Sequence, residues 1–225
     1  MGQTRRIRAV LFDLDGTLVD SAPDLIGTLN WLRAGHGLAP LPIEGLRHFA
    51  ARGALGMIEA GFQECPELDR SDLRTQFLAH YRDNLWQHSR PFAGIETLLD
   101  ALTEQGLLLG VVTNKLVYLA EAVVQAAGWQ KQMACVIGGD TAAFPKPHPA
   151  PVLEACQRAG VHPAEALMLG DDRRDVAAGR AAGSVTAAAS WGYLAPDEDL
   201  EAWCAEYTLS QPDELIPIVR DINES

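Results

Sequence analysis

Short, mostly apolar runs recur along the chain at residues 8–12, 107–112, 134–137, 166–169 and 185–189, each bounded by turn-forming residues and short enough for a buried strand. Between them lie Ala- and Leu-rich stretches with helical spacing at 97–104, 116–127, 150–159 and 175–182. Each of these runs into a glycine, at Gly106, Gly128, Gly160 and Gly183, where a helix C-terminus favours a left-handed residue. Strand and helix in alternation predict a parallel sheet covered by helices on both faces.

One interval breaks the alternation. From Leu18 to about Leu107 no stretch reads as a strand, and the patterns are helical, near 24–33, 43–49, 55–62 and 71–87. Gly- and Pro-bearing segments at 35–42 and 65–68 separate them. A single crossover helix needs far fewer residues, so the surplus reads as an inserted all-helical cap subdomain, entered near 19–23 and left near 89–94. The expected organisation is an α/β, Rossmann-like doubly wound core made of residues 1–18 and 92–225, with a helical cap over 19–91.

The chain has 225 residues, 48% hydrophobic and 21% charged, and a chain of this size buries about 70% of its unfolded surface. Lys and Arg number 18 against 30 Asp and Glu, a formal charge of −12. Such a surface repels phosphate backbones and anionic lipid, so neither nucleic acid nor a membrane is an expected partner. An anionic substrate needs local positive charge.

The most apolar run, 107–112, is far shorter than the roughly 18 residues of a membrane span. Arg5, Arg6 and Arg8 imitate the start of an export signal, but Asp13 interrupts the apolar run that follows. Gly2 fails as a myristoylation site because Arg6 stands where Ser or Thr is needed. Cys65, Cys135, Cys156 and Cys204 form no Cys-x-x-Cys pair and read as reduced thiols of a cytoplasmic protein, monomeric or homodimeric.

In open α/β sheets, ligands bind beyond the carboxyl ends of the strands. There the first run ends in Asp13-Leu14-Asp15-Gly16-Thr17, the second in Thr113-Asn114-Lys115, and the fourth in Gly170-Asp171-Asp172-Arg173-Arg174-Asp175, while Lys146 lies between two prolines beyond the third. Asp13 and Asp15, two apart, are expected to put both carboxyl groups on one side, where they repel unless something binds. With Asp171 at the same edge they offer hard oxygen ligands suited to Mg²⁺. A calcium loop fits poorly, because Gly16 is fourth from Asp13 rather than sixth. Gly16 permits a tight turn, and Thr17 offers a hydroxyl to a bound group or to a cap.

A carboxylate can attack phosphorus to give an aspartyl-phosphate, but both partners are anionic, so positive charge must lie between them. Mg²⁺ supplies part of it and Lys146 the rest, at the phosphoryl oxygens. Thr113 and Asn114 add neutral donors. Asp13 is then the nucleophile, and Asp15 protonates the leaving alkoxide and later activates a water.

Taken singly, each motif has an ordinary explanation: Asp-x-Asp as a turn and N-cap, Thr-Asn as turn chemistry, Pro-Lys-Pro as an exposed loop, Gly-Asp-Asp as a helix cap. Their joint appearance in order, each just past a predicted strand, points to one phosphate-handling site. The set resembles the haloacid dehalogenase superfamily of phosphatases: residues 13–17 are similar to its first motif, Thr113-Asn114 to its second, Lys146 to its third, and Gly170-Asp171-Asp172 with Asp175 to its fourth.

The resemblance spans almost the whole chain, and the inserted helices are similar to that superfamily's helical cap. It implies Asp13 as nucleophile, Asp15 as acid and base, and Thr113 and Lys146 as phosphate-binding. It also implies Mg²⁺ held by Asp13, the Asp15 carbonyl and Asp171, supported by Asp172 and Asp175. Within the superfamily, residues 11–21 and 112–115 are similar to the phosphoglycolate phosphatase group, which implies a small phosphorylated metabolite as substrate. Leu116 departs from that group's usual Pro, and Asp172 from its Ser or Thr. Residues 171–175 with Gly192-Tyr193 resemble the related N-acetylmuramic acid 6-phosphate phosphatases, which implies a sugar phosphate as the alternative.

Arg52 and Gly53, between two cap helices, are the candidates for reading the substrate's other end, since a guanidinium binds a carboxylate bidentately. The histidines show no metal spacing, and Trp31, Trp86 and Tyr81 read as packing. The acidic run at 196–201 reads as a solvated face. A signalling receiver domain lacks such an insertion, and a dehalogenase lacks Asp15. The phosphomutases of the superfamily use cap His and Lys residues, whereas no Lys occurs between Leu18 and Asn114. A phosphate-binding regulator without activity is the remaining alternative.

Overall fold

The computed structural model describes residues 6–225, so the readings made at Gly2 and Arg5 lie outside the described residues. The chain runs β1 (Ala9–Phe12), β2 (Val19–Asp20), α1 (Ala22–Gly35), α2 (Arg47–Ala50), α3 (Gly53–Gly61), α4 (Arg70–Asn84) and β3 (Arg90–Pro91). It continues α5 (Ile95–Glu104), β4 (Leu108–Val112), α6 (Val117–Ala126), β5 (Met133–Ile137), α7 (Ala150–Ala159), β6 (Ala166–Gly170) and α8 (Arg173–Ala182). The last elements are β7 (Val185–Ala189), β8 (Tyr207–Leu209) and α9 (Leu215–Glu224).

Six strands form one sheet in the order β5-β4-β1-β6-β7-β8, every neighbouring pair parallel. Val10 and Phe12 of β1 enter a core with α5, α6 and α9, whereas Ala9 and Leu11 enter a second core with α7 and α8. Alternate residues therefore point into two different cores. This is why the strand sequences read as continuous apolar runs rather than as polar–apolar alternation. The five sequence-predicted strands are present to within about a residue at each end. β8 and α9, which complete the sheet edge and one helical layer, were not foreseen.

The segment between Leu18 and Leu107 does contain strand, contrary to expectation. β2 and β3 pair antiparallel, Val19 with Pro91 and Asp20 with Arg90, so the chain entering the helical insertion and the chain leaving it are tied together. Two-residue strands, one with a proline, carry no periodicity to read. Helix α2 is shorter than the predicted 43–49, and α4 stops at Asn84, since Leu85 is extended and Trp86 sits at φ +70°. Helices α1–α4 enclose their own apolar cluster, built on Leu29, Phe62, Phe77 and Tyr81, which is closed from the sheet side by Leu119 and Tyr193. The four cysteines are free thiols, and no helix among the described residues is long and apolar enough to cross a membrane.

Candidate active site

β1 lies where the sheet order turns from one direction to the other, between β4 and β6, so a crevice opens at its carboxyl end. Asp13 prolongs the ladder by one bond, its N–H donating to the Leu169 carbonyl at 2.9 Å. Its Oδ1 accepts from the Leu14 N–H at 2.7 Å and lies 3.0 Å from Lys146 Nζ. Lys146 is buried and also contacts Asp175 Oδ1 at 2.6 Å and donates to the Val112 carbonyl at 2.6 Å. Burial opposes its charge, but Asp13 and Asp175 outweigh it and hold the ammonium above its ordinary pKa.

Carboxylate oxygens of Asp13, Asp171 and Asp175 all lie within 4.8 Å of one another. Asp171 is buried, with Oδ1 accepting from Thr17 Oγ1 at 2.7 Å and Oδ2 from the Tyr193 N–H at 2.8 Å. Burial, then Asp13 and Asp175, push its carboxyl well above the usual carboxylate range. Asp175 is raised as well, by burial first and by Asp13 and Asp172, although Lys146 opposes the shift. When all three are ionised, these carboxylates exceed the one ammonium by two charges, which a divalent cation neutralises, and an all-oxygen set suits a hard ion.

Two glycines make room for Asp171. A Cβ at Gly16 would lie 2.1 Å from Asp171 Oδ2, and one at Gly192 would lie 2.2 Å from Asp171 Cβ.

Asp15 lines the same cavity as Asp13, but its carboxylate stands apart from this cluster and has its own partners. Lys115 Nζ donates to its Oδ1 at 3.0 Å and its Oδ2 at 2.9 Å, and Ser21 Oγ donates to Oδ1 at 2.6 Å. Lys115 also donates to Tyr81 Oη at 3.0 Å and sits 4.6 Å from that ring's centroid. Burial works against the ammonium, yet Asp15 and Tyr81 keep its pKa raised. Lys115 stands in the second motif, but no sequence signal gave it a role. Tyr81 is packed as predicted, and its hydroxyl adds a polar end facing the site.

The other candidates divide. Thr113 lies on the cavity wall, its N–H held by the Ile137 carbonyl at 2.9 Å. Asn114, also on the wall, clamps the lysine loop: its Nδ2 donates to the Lys146 carbonyl and its Oδ1 accepts the Lys146 N–H, both at 2.9 Å. Thr17 is fully buried, and its hydroxyl is committed to Asp171, so it does not reach a substrate. Asp172 caps α8, accepting the Arg174 N–H at 2.8 Å, and Asp175 returns the favour by accepting the Asp172 N–H at 3.1 Å.

The crevice is a cavity of about 140 Å³ between the sheet end and helices α1–α4. Asp13, Asp15 and Lys146 lie on one side, and Arg52, Gly53 and Arg74 on the other. Arg52 is half-exposed and ion-paired with Glu59. Arg174, which the sequence reading left without a role, grips both Asp172 oxygens through Nε at 2.7 Å and Nη2 at 2.8 Å, and Nη2 reaches across to the Ala51 carbonyl at 2.8 Å. Leu116 has φ −57°, a value proline also adopts, and adds an apolar side chain to the wall.

Residues 10–189 match the family model of haloacid dehalogenase-like hydrolases. The chain is 42% identical over 208 residues to the phosphoglycolate phosphatase of Xanthomonas campestris pv. campestris (strain 8004), covering 92% of this chain and 94% of that one. It is 40% identical over 217 residues to the N-acetylmuramic acid 6-phosphate phosphatase of Pseudomonas aeruginosa, covering 95% of each. Among solved structures, the crystal structure of a predicted phosphoglycolate phosphatase from Haemophilus somnus 129pt superposes with a TM-score of 0.86 at 27% identity, covering 96% of this chain and 99% of that one.

Proposed function

The chain belongs to the haloacid dehalogenase-like hydrolases, and we propose that it is a Mg²⁺-dependent phosphatase of a small carboxylated phosphomonoester of the phosphoglycolate type, working through an aspartyl-phosphate on Asp13. The observation that carries this reading is the buried Lys146 bridging Asp13 and Asp175 at the end of β1. An ammonium there offsets the repulsion between an attacking carboxylate and a phosphoryl group.

Among the described residues, both side-chain contacts of Asp13 engage Oδ1, so Oδ2 is the oxygen that attacks. The bond from Asp13 Oδ2 to phosphorus forms as the ester P–O bond breaks, and Asp15 gives its proton to the leaving alkoxide. Asp15 then takes a proton from water, whose oxygen attacks phosphorus and releases phosphate and the free Asp13 carboxylate. Thr113 and Lys146 face the phosphoryl oxygens. Asp13, Asp171 and the Asp15 carbonyl would hold Mg²⁺, with Asp175 beside them, and a bound Mg²⁺ would supply the charge that lets two anions meet. Lys115 and Ser21 hold Asp15 in position.

Asp13→Asn is expected to abolish turnover of p-nitrophenyl phosphate and of phosphoglycolate and to prevent an acid-stable phosphoenzyme, with the fold unchanged. Turnover retained in that variant, or in excess EDTA, refutes the mechanism. A second reading, hydrolysis of N-acetylmuramic acid 6-phosphate, is favoured by the similarity to the Pseudomonas enzyme and by the wall residues Leu25, Leu55, Leu78 and Leu116, which suit the hydrocarbon parts of a larger sugar phosphate. The ratio of kcat/KM for the two substrates decides between them.

A further inference from the structure

We propose that Tyr193, which makes no hydrogen bond to Asp15, is a positioning residue for the proton-transfer step and acts through Ser21. The inference rests on the assignment of Asp15 as acid and base made above. Ser21 is the N-cap of α1, but its backbone is helical, at φ −95° and ψ −4°, and Pro23 follows in the first turn, so its hydroxyl is not placed to cap the helix. Here the hydroxyl makes no capping bond and instead donates to Asp15 Oδ1 at 2.6 Å.

The acceptor at the helix end comes from elsewhere. Tyr193 Oη accepts the N–H of Ser21 at 2.6 Å and that of Ala22 at 2.8 Å, and lies 3.0 Å from Asp20 Oδ1, to which it donates. Pro23 removes one further donor from the first turn. Ser21, Ala22 and Tyr193 are all buried, so donors at this helix end must find a protein partner. One phenolic oxygen serves two of them. These two bonds pin the Ser21 backbone, so that Oγ faces Asp15.

Without the phenol, the Ser21 backbone loses this anchor and its hydroxyl is no longer held on Asp15. The backbone N–H of Tyr193 holds Asp171, and a change to Phe leaves that bond in place and deletes the hydroxyl alone.

A double-mutant cycle on kcat for p-nitrophenyl phosphate tests the inference. Tyr193→Phe and Ser21→Ala are each expected to lower kcat about tenfold, the worth of one hydrogen bond to a carboxylate, with KM within about twofold. The double variant is expected to be no slower than Ser21→Ala alone. Losses that multiply, or an unchanged kcat in Tyr193→Phe, overturn the inference, because Tyr193 then does not act through Ser21. If Tyr193→Phe does not fold, Tyr193→Met takes its place in the cycle, with the same outcomes for and against. Asp15→Asn separates this from the assignment beneath it. Near-native turnover in Asp15→Asn refutes the assignment, whereas lost turnover there with unchanged kcat in Ser21→Ala and Tyr193→Phe refutes the inference alone.

Discussion

Arg174, on the first turn of α8, donates at 2.8 Å to the carbonyl of Ala51, which closes α2 on the opposite side of the cavity. The same guanidinium grips Asp172, whose own N–H bonds Asp175, and Asp175 contacts Lys146 beside Asp13. The loop that carries Arg52 is therefore seated on the end of the sheet by one charged hydrogen bond. Arg174→Ala is expected to raise KM for phosphoglycolate about tenfold, the worth of a charge-assisted bond, with a smaller change in kcat. Steady-state kinetics check this, and an unchanged KM contradicts it.

Arg52 is paired with Glu59, both half-exposed, so the guanidinium is held at the rim by a weak surface contact that a substrate carboxylate can replace. Arg52→Ala is expected to raise KM for phosphoglycolate much more than for p-nitrophenyl phosphate, which has no carboxylate. Glu59→Gln is expected to lower the KM for phosphoglycolate. Equal responses of the two substrates to Arg52→Ala would move specificity elsewhere.

Lys146 is the ammonium between two carboxylates in a buried site. Lys146→Ala leaves both carboxylates without it, a loss of about 3–5 kcal/mol of stability by the general cost of breaking a buried pair. Removal of one donor to a developing charge lowers kcat about 10²–10³-fold. Urea unfolding and kcat are measured together. A variant as stable as the native protein contradicts the ion-pair account.

Asp171 gives a pH-dependent expectation for the metal-free protein. Its folded pKa lies above the unfolded value, so its contribution to stability is present at acid pH and is lost as pH rises through the raised pKa. Asn can keep both contacts, its carbonyl accepting from the Tyr193 N–H and its amide donating to the Thr17 hydroxyl. In EDTA, Asp171→Asn is expected to raise Tm more at pH 8 than at pH 5, by about 2–4 °C for each kcal/mol. Mg²⁺ is expected to raise Tm of the native protein and not of the variant. Scanning calorimetry reads both effects, and a gain equal at the two pH values contradicts the first.

The sheet was legible because its strands are buried on both faces and leave runs such as 166–169 without a polar break. The meeting of Asp13, Lys146, Asp171 and Asp175 was legible because each follows such a run and the topology gathers their ends. What the pattern could not carry is direction within the site. Asp15 looks like a twin of Asp13, yet Lys115 and Ser21 turn it elsewhere. Thr17 has the chemistry of a phosphate donor but spends it on Asp171. Tyr193 and Arg174 act across 172 and 123 positions, distances over which local spacing holds no information.

The slot that holds Asp171 divides the molecule's freedom to change unevenly. With Gly16 and Gly192 pressed against that carboxylate, not even a methyl group can be added to either side without displacing it. Gly16 and Gly192 thus act as a steric lock on Asp171. The opposite rim, carrying Arg52, Arg74 and the half-exposed Leu55, has space around its side chains. On this scaffold a change of substrate is therefore expected from substitutions in the helical insertion, whereas a side chain at Gly16 or Gly192 is expected to cost the reaction itself.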